Sequence, residues 1–418
     1  RRHGVAHFAR RGSSTRWKTT TTMRVEEDGL NVTFGEGECP RFFSWLWLRE
    51  ASGNPTHRLA SGQKLFALTP EDLSATAASP IMKSARLEAA EENACSCVVV
   101  EWRDGATSRY DARFLRAFSL NGGETTQYPT DARAPWDAAS LTENNDGAAV
   151  VPLNIDDPDD AAVDDALRRL LTVGFARLST TNCLPLAGES TSHPVLKVAA
   201  QFGFVRTTNY GVCFDVRASK THANLADSAL ALKPHTDNPY RDPVPGAQCL
   251  LCIQPSSCGG GATYLLDGLR VALDLKRDDP DAFRTLSTNP REWRYVDDGV
   301  DLYARATPLV VDAKTGTIES VRFNDRSVLP PRVGPRDNNV GNRDGADAAI
   351  RAWHAFAAYL DDEKYRVPFV LEKGEALLFD NRRLLHGRTA FAGADRWLQG
   401  CYLDADEPAS RRRARTKK

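Results

Sequence analysis

Short apolar runs broken by turn residues dominate the chain, and helical periodicity is confined to a few stretches. The clearest helix is predicted over Asp159–Thr172, where Ala162, Val163, Ala166, Leu167, Leu170 and Leu171 recur at helical spacing. Its acids come early and its arginines late, as the helix dipole prefers. His193–Phe202 and Ala348–Leu360 are further helix candidates. Around them lie runs that predict strands: Val205–Tyr210, Gln248–Gln254, Thr263–Leu266, Leu309–Val311, Ser320–Phe323, Phe369–Leu371, Ala376–Phe379 and Leu398–Leu403. Many short strands with few helices predict a mainly β fold with flanking helices, a double-stranded β-helix (jelly roll) over 148–410. Ahead of it, 25–120 reads as a small β-rich N-terminal domain, with strands expected at Phe42–Leu48, Gln63–Leu68, Cys97–Trp102 and Ser108–Tyr110. Residues 121–147 read as a linker, Pro330–Asp347 as a surface loop and 411–418 as a solvated basic tail.

Charge narrows the function. Lys+Arg is 54 against 55 Asp+Glu, a net charge of −1, without the basic excess of a nucleic-acid protein. The apolar runs are too short to span a bilayer. Nine scattered cysteines suit buried thiols in a reducing compartment, and the Cys249/Cys252 pair reads as strand residues because no second pair completes a zinc set. The first 24 residues carry many arginines, Ser and Thr and no acid, the composition of a transit peptide or a disordered basic leader. A mitochondrial or cytosolic location is expected, and secretion is not.

The chemistry begins at Lys233-Pro-His-Thr-Asp-Asn-Pro-Tyr. Residues two apart in an extended chain face the same side, so His235 and Asp237 offer an imidazole and a carboxylate to one point. An isolated HxD is common and means little. Asp380-Asn-Arg-Arg-Leu-Leu-His386 adds a second imidazole, and two histidines with one carboxylate are the protein ligands of non-haem Fe(II) oxygenases. Ten residues beyond stands Arg396, a guanidinium fork suited to a carboxylate. The glycine turn ending in Thr263 can bring a hydroxyl to that same carboxylate.

These segments resemble the 2-oxoglutarate oxygenases of the γ-butyrobetaine and trimethyllysine hydroxylase group, within the taurine-dioxygenase-like superfamily. The resemblance runs from about Val25 onward. It is carried by Arg41-Phe-Phe-Ser-Trp-Leu-Trp-Leu-Arg-Glu, His235-Thr-Asp-Asn-Pro-Tyr-Arg-Asp-Pro-Val-Pro-Gly, Arg322-Phe-Asn-Asp-Arg, Phe379-Asp-Asn-Arg-Arg-Leu-Leu-His-Gly-Arg and Leu398-Gln-Gly-Cys-Tyr-Leu-Asp. It implies Fe(II) on His235, Asp237 and His386, O2 as oxidant, and 2-oxoglutarate with its distal carboxylate on Arg396 and Thr263.

The resemblance further implies a small quaternary ammonium substrate, with Tyr210, Phe214 and Tyr402 as walls of an aromatic cage and Asn224 and Asn324 holding the other end. Ring faces attract a cation that has no N–H to donate. γ-Butyrobetaine, giving carnitine, is the first expectation. Asp227 stands where the family pattern has a cage tyrosine, which opens 2-trimethylaminoethylphosphonate or trimethyllysine as alternatives. An unrelated small carboxylate or sulfonate, or a catalytically inactive jelly-roll binding protein, are the rival readings. Some relatives bind zinc in the N-terminal domain; the segment Glu50–His57 here lacks cysteines, so no structural zinc is expected. A homodimer is implied by resemblance alone, and no membrane or nucleic-acid partner is expected.

Overall fold

The computed structural model describes residues 21–59, 61–65, 67–74, 81–88, 96–119, 132–144, 149–157, 161–180, 193–217, 230–257, 260–297, 299–332, 345–391 and 396–416. Two compact units divide at Pro129/Thr130.

The first unit holds two three-stranded antiparallel sheets, Thr22–Val25, Gly29–Thr33 and Arg41–Ser44 in one and Met82–Glu88, Cys97–Trp102 and Thr107–Asp111 in the other. Alternation places Val98, Val100 and Trp102 in one core with Leu30, Val32, Phe43 and Leu48. The strand expected over Phe42–Leu48 ends early. Ser44 Oγ accepts from Trp47 N at 3.2 Å, which caps a helix over Trp45–Glu50 and buries Trp45 and Leu48. Of the strand expected at Gln63–Leu68 only an isolated bridge, Arg58 to Lys64, is described. Both ring nitrogens of His57 are engaged by protein groups, Nδ1 with Ser52 Oγ at 2.9 Å and Nε2 with Arg49 at 3.3 Å.

The second unit is built on two sheets. The larger has seven strands, with Phe214–Arg217, Trp397–Leu403, Ala247–Gln254, Glu375–Asp380, Phe175–Ser179 and Val150–Pro152 in spatial order and Val205–Arg206 beside Trp397–Leu403. The smaller runs Leu232–His235, Leu384–Arg388, Thr263–Asp267, Val367–Phe369. Side chains alternating inward from both, including Phe175, Leu250, Leu265, Leu377, Phe379 and Leu384, form one cluster. The opposite face of the large sheet packs on helices Ala161–Thr172 and Pro194–Ala200. The outer face of the small sheet packs on Gly268–Asp278, Pro280–Thr288 and Gly345–Asp361.

The same alternation decides the Cys249/Cys252 question. Cys249 faces the helix side and Cys252 faces the inter-sheet core, so the two thiols cannot share a ligand. Two boundary expectations are corrected. Trp136, inside the expected linker, is buried, and its indole donates to Val173 O at 2.6 Å. Arg411–Arg415 belong to a helix, Glu407–Arg415, rather than a free tail, and Arg415 bonds Asp164 at 2.7 Å. Residues 1–20 of the expected leader and most of the Pro330–Asp347 loop lie outside the described residues, whereas Thr22–Val25 form a strand, so the leader boundary expected at residue 24 is set too late.

Candidate metal centre and co-substrate site

The three expected ligands come together from two strands and one loop. His235 ends its strand directly opposite His386, with their rings 4.3 Å apart. Asp237 lies just past the strand end, with Oδ1 3.3 Å from His235 Nε2 and Oδ2 3.8 Å from His386 Nε2. The three donor atoms lie within 4.8 Å of one another, the only such group of three or more His, Cys, Asp or Glu among the described residues.

Neighbouring groups fix two of the three donors, His235 and Asp237. His235 Nδ1 donates to Lys233 O at 2.8 Å, which leaves Nε2 as a lone-pair donor toward the centre. Asn381 grips the Asp237 backbone on both sides, accepting from its N–H at 2.7 Å and donating to its carbonyl at 3.1 Å. Tyr402 donates its hydroxyl to Asp237 Oδ2 at 2.8 Å.

Protonation states agree with metal binding. Burial alone would raise Asp237, but the adjacent imidazoles and the Tyr402 hydroxyl outweigh it and hold the carboxyl well below its usual range. Burial, reinforced by His235, pushes His386 down to about 3. A carboxylate and neutral imidazoles are the forms that bind a divalent cation. The donor set therefore fits Fe(II).

Arg396 is 6% exposed. No acid lies within ion-pair distance of it among the described residues, and burial lowers its pKa. Its guanidinium lies 5.6 Å from the Phe391 ring centroid. Gly261, at φ +66°, passes so close that an added Cβ would sit 3.1 Å from Arg396 Cδ, and its left-handed backbone favours glycine where the turn lies against the arginine. Two residues on, Thr263 is buried on the inward face shared with Leu265, opposite Arg388 on the His386 strand. A buried cation with no acid among the described residues, lying against the turn that leads to a buried hydroxyl, fits a ligand carboxylate.

Aromatic rings adjoin the triad. Phe214 stacks on Tyr402 at 5.2 Å and 30°, and Tyr210 lies 6.1 Å from Phe214. Tyr210 sits in a tight turn, Thr208 to Gly211, beyond the two-residue strand Val205–Arg206 that replaces the longer one expected. Asn324 is buried and already engaged, donating to Thr236 O at 3.2 Å and accepting from Arg326 N at 3.0 Å. Asn224 and Asp227 lie outside the described residues. Sequence reasoning missed Asn381, Tyr240 and Tyr295; Asn381 stands within the Asp-Asn-Arg-Arg segment that pointed to His386.

A jelly roll with this triad is the framework of a 2-oxoglutarate-dependent dioxygenase, and relatives place the chain in that class. The chain belongs to the taurine catabolism dioxygenase TauD, TfdA family, whose family model matches residues 137–402. It is 30% identical over 393 residues to a gamma-butyrobetaine dioxygenase of Pseudomonas sp. (strain AK-1), covering 92% of each chain. The gamma-butyrobetaine dioxygenase of Homo sapiens is 31% identical over 255 residues, 59% of this chain and 61% of that one. A mitochondrial trimethyllysine dioxygenase of Gallus gallus is 26% identical over 380 residues, covering 87% of this chain and 81% of the relative. No helix among the described residues is long and apolar enough to cross a membrane.

Proposed function

We propose that the chain hydroxylates a small trimethylammonium compound, γ-butyrobetaine first among them, with Fe(II) on His235, Asp237 and His386. In this reading Arg396 and Thr263 hold the distal carboxylate of 2-oxoglutarate. The observation that carries it is Tyr402: its ring stacks on Phe214 while its hydroxyl bonds the Asp237 carboxylate. One side chain thus joins the aromatic wall to the metal ligands, so a cation held by the rings has a neighbouring carbon facing the reactive centre.

When bound, iron and 2-oxoglutarate supply the oxidising power that converts C–H and O2 to C–OH, with succinate and CO2 as co-products. The chain's own part is placement. Lys233 O and Asn381 keep His235 and Asp237 in position, and Tyr402 restrains one oxygen of Asp237. Tyr210, Phe214 and Tyr402 offer ring faces to the cationic head. Asn324, Asn224 and Asp227 complete the substrate contacts in the same reading. A mitochondrial or cytosolic location is proposed, from the basic composition of the first residues and the mitochondrial relative.

The test is succinate formation by purified protein with Fe(II), 2-oxoglutarate and a panel of quaternary amines. One amine should raise succinate in step with its hydroxylated product, and His386→Ala should abolish both. Succinate at background with every amine, and no difference between wild type and His386→Ala, would discard the reading.

A further inference from the structure

We propose that Tyr240 and Tyr295 are positioning residues that hold the Tyr210 ring in the head-group wall and so set the preference for a quaternary cation. The inference rests on the trimethylammonium reading above.

Tyr240 closes the ligand segment His235-Thr-Asp-Asn-Pro-Tyr and is buried. Its hydroxyl donates to Asn238 Oδ1 at 2.8 Å. A phenol has one proton, and that contact uses it. The 3.0 Å contact between the Tyr240 and Tyr210 hydroxyls must therefore have Tyr210 donating. The result is a directed chain from Tyr210 through Tyr240 to Asn238, the residue after the ligand Asp237. Asn238 sits at φ +53°, a left-handed conformation that asparagine tolerates better than most residues.

A second tie runs beside the first. Arg241 donates to Asn209 Oδ1 at 2.5 Å, so neighbouring residues of the two loops are linked twice. The third support comes from a separate hairpin, Arg291–Asp297 with Val300–Ala306. Its Tyr295 stacks on Tyr240 at 4.9 Å and 22° and lies 6.1 Å from Tyr210, with its own hydroxyl held by Asp297 at 2.8 Å. Tyr210 is thus flanked by Phe214 and Tyr295, and its hydroxyl is anchored on Tyr240. A ring attracts a cation through its face, so fixing its orientation fixes the attraction.

Asn381 holds Asp237 independently of this chain. Loosening Tyr210 should therefore disturb the head group without disturbing the metal or 2-oxoglutarate. Tyr240→Phe removes only the hydroxyl and keeps the stack on Tyr295. Its KM for the trimethylammonium substrate should rise roughly fivefold, the scale of one hydrogen bond, with the KM for 2-oxoglutarate within about twofold of wild type. Discrimination between the quaternary amine and its neutral isostere, with a tert-butyl group in place of trimethylammonium, should fall by a similar factor. Tyr295→Ala should act in the same direction.

If both variants keep wild-type discrimination, whatever their thermal stability, the positioning role is overturned and the two tyrosines only pack. If the wild-type enzyme does not distinguish the amine from its isostere, the trimethylammonium reading fails and takes this inference with it.

Discussion

Two buried arginines, each just ahead of a strand, are treated in opposite ways. Arg383 is 1% exposed and fully answered. It forks onto Asp267 at 3.1 and 2.7 Å and donates to Thr172 O and Ala134 O at 2.6 and 2.8 Å. Asp267 in turn accepts from Trp136 N and caps the Gly268–Asp278 helix through Leu269 N. Arg396 is nearly as buried yet has no acid among the described residues. The first guanidinium is part of the scaffold. The second meets no acid among the described residues, the condition that the proposed hold on 2-oxoglutarate requires. The difference teaches that the informative feature of a buried charge is its partner, or the lack of one.

That contrast can be broken most forcefully at Arg383. Replacing it with leucine strands Asp267 in the core, and should lower stability by about 3–5 kcal/mol, read as a shifted urea midpoint for the second unit. Unchanged stability would remove the scaffold role. Arg396→Ala should do the reverse: little loss of stability, but a 2-oxoglutarate KM raised on the order of 30-fold or more, from about 2 kcal/mol of lost charge-assisted bonding. An unchanged 2-oxoglutarate requirement would end the assignment.

Smaller effects sharpen the picture. Tyr402→Phe removes the bond to Asp237, and metal affinity measured by titration should fall about tenfold, the lower end for such an outer partner. An affinity equal to wild type would reduce Tyr402 to a ring. Arg396→Lys keeps the charge but loses the fork, so its 2-oxoglutarate KM should lie between wild type and Arg396→Ala, roughly tenfold above wild type. If lysine proves as poor as alanine, geometry rather than charge dominates the site.

Much of the site was legible because its chemistry is compressed into short segments. His235 and Asp237 are two residues apart, and Arg396 follows His386 by ten, so residue types and spacing sufficed. Asn381 was within reach, since it lies in the same segment as His386. Tyr295 was not: a ring on a distant hairpin reaches Tyr240 only through tertiary packing, which leaves no periodic trace. Several jelly-roll strands, among them Ala247–Gln254, Glu375–Asp380 and Trp397–Leu403, were legible as apolar runs, but Phe175–Ser179 and Leu384–Arg388 were not. Trp45–Glu50 was misread because the same run serves strand or helix and only the Ser44 cap decides. The Gly268–Asp278 helix was overlooked because its charged residues mask Leu269, Ala272 and Leu275; Asp267 as cap was the available sign.

The strand Leu232–His235 lies at the border of the small sheet, joined to Leu384–Arg388 through an irregular register. Sheet borders fray more readily than interiors. Every such fraying event would part His235 from His386, so the opening equilibrium of this border becomes a component of the metal dissociation constant. Metal retention is thereby adjustable from positions that donate nothing to the ion: a substitution that merely stiffens the border would slow release, and one that loosens it would hasten it.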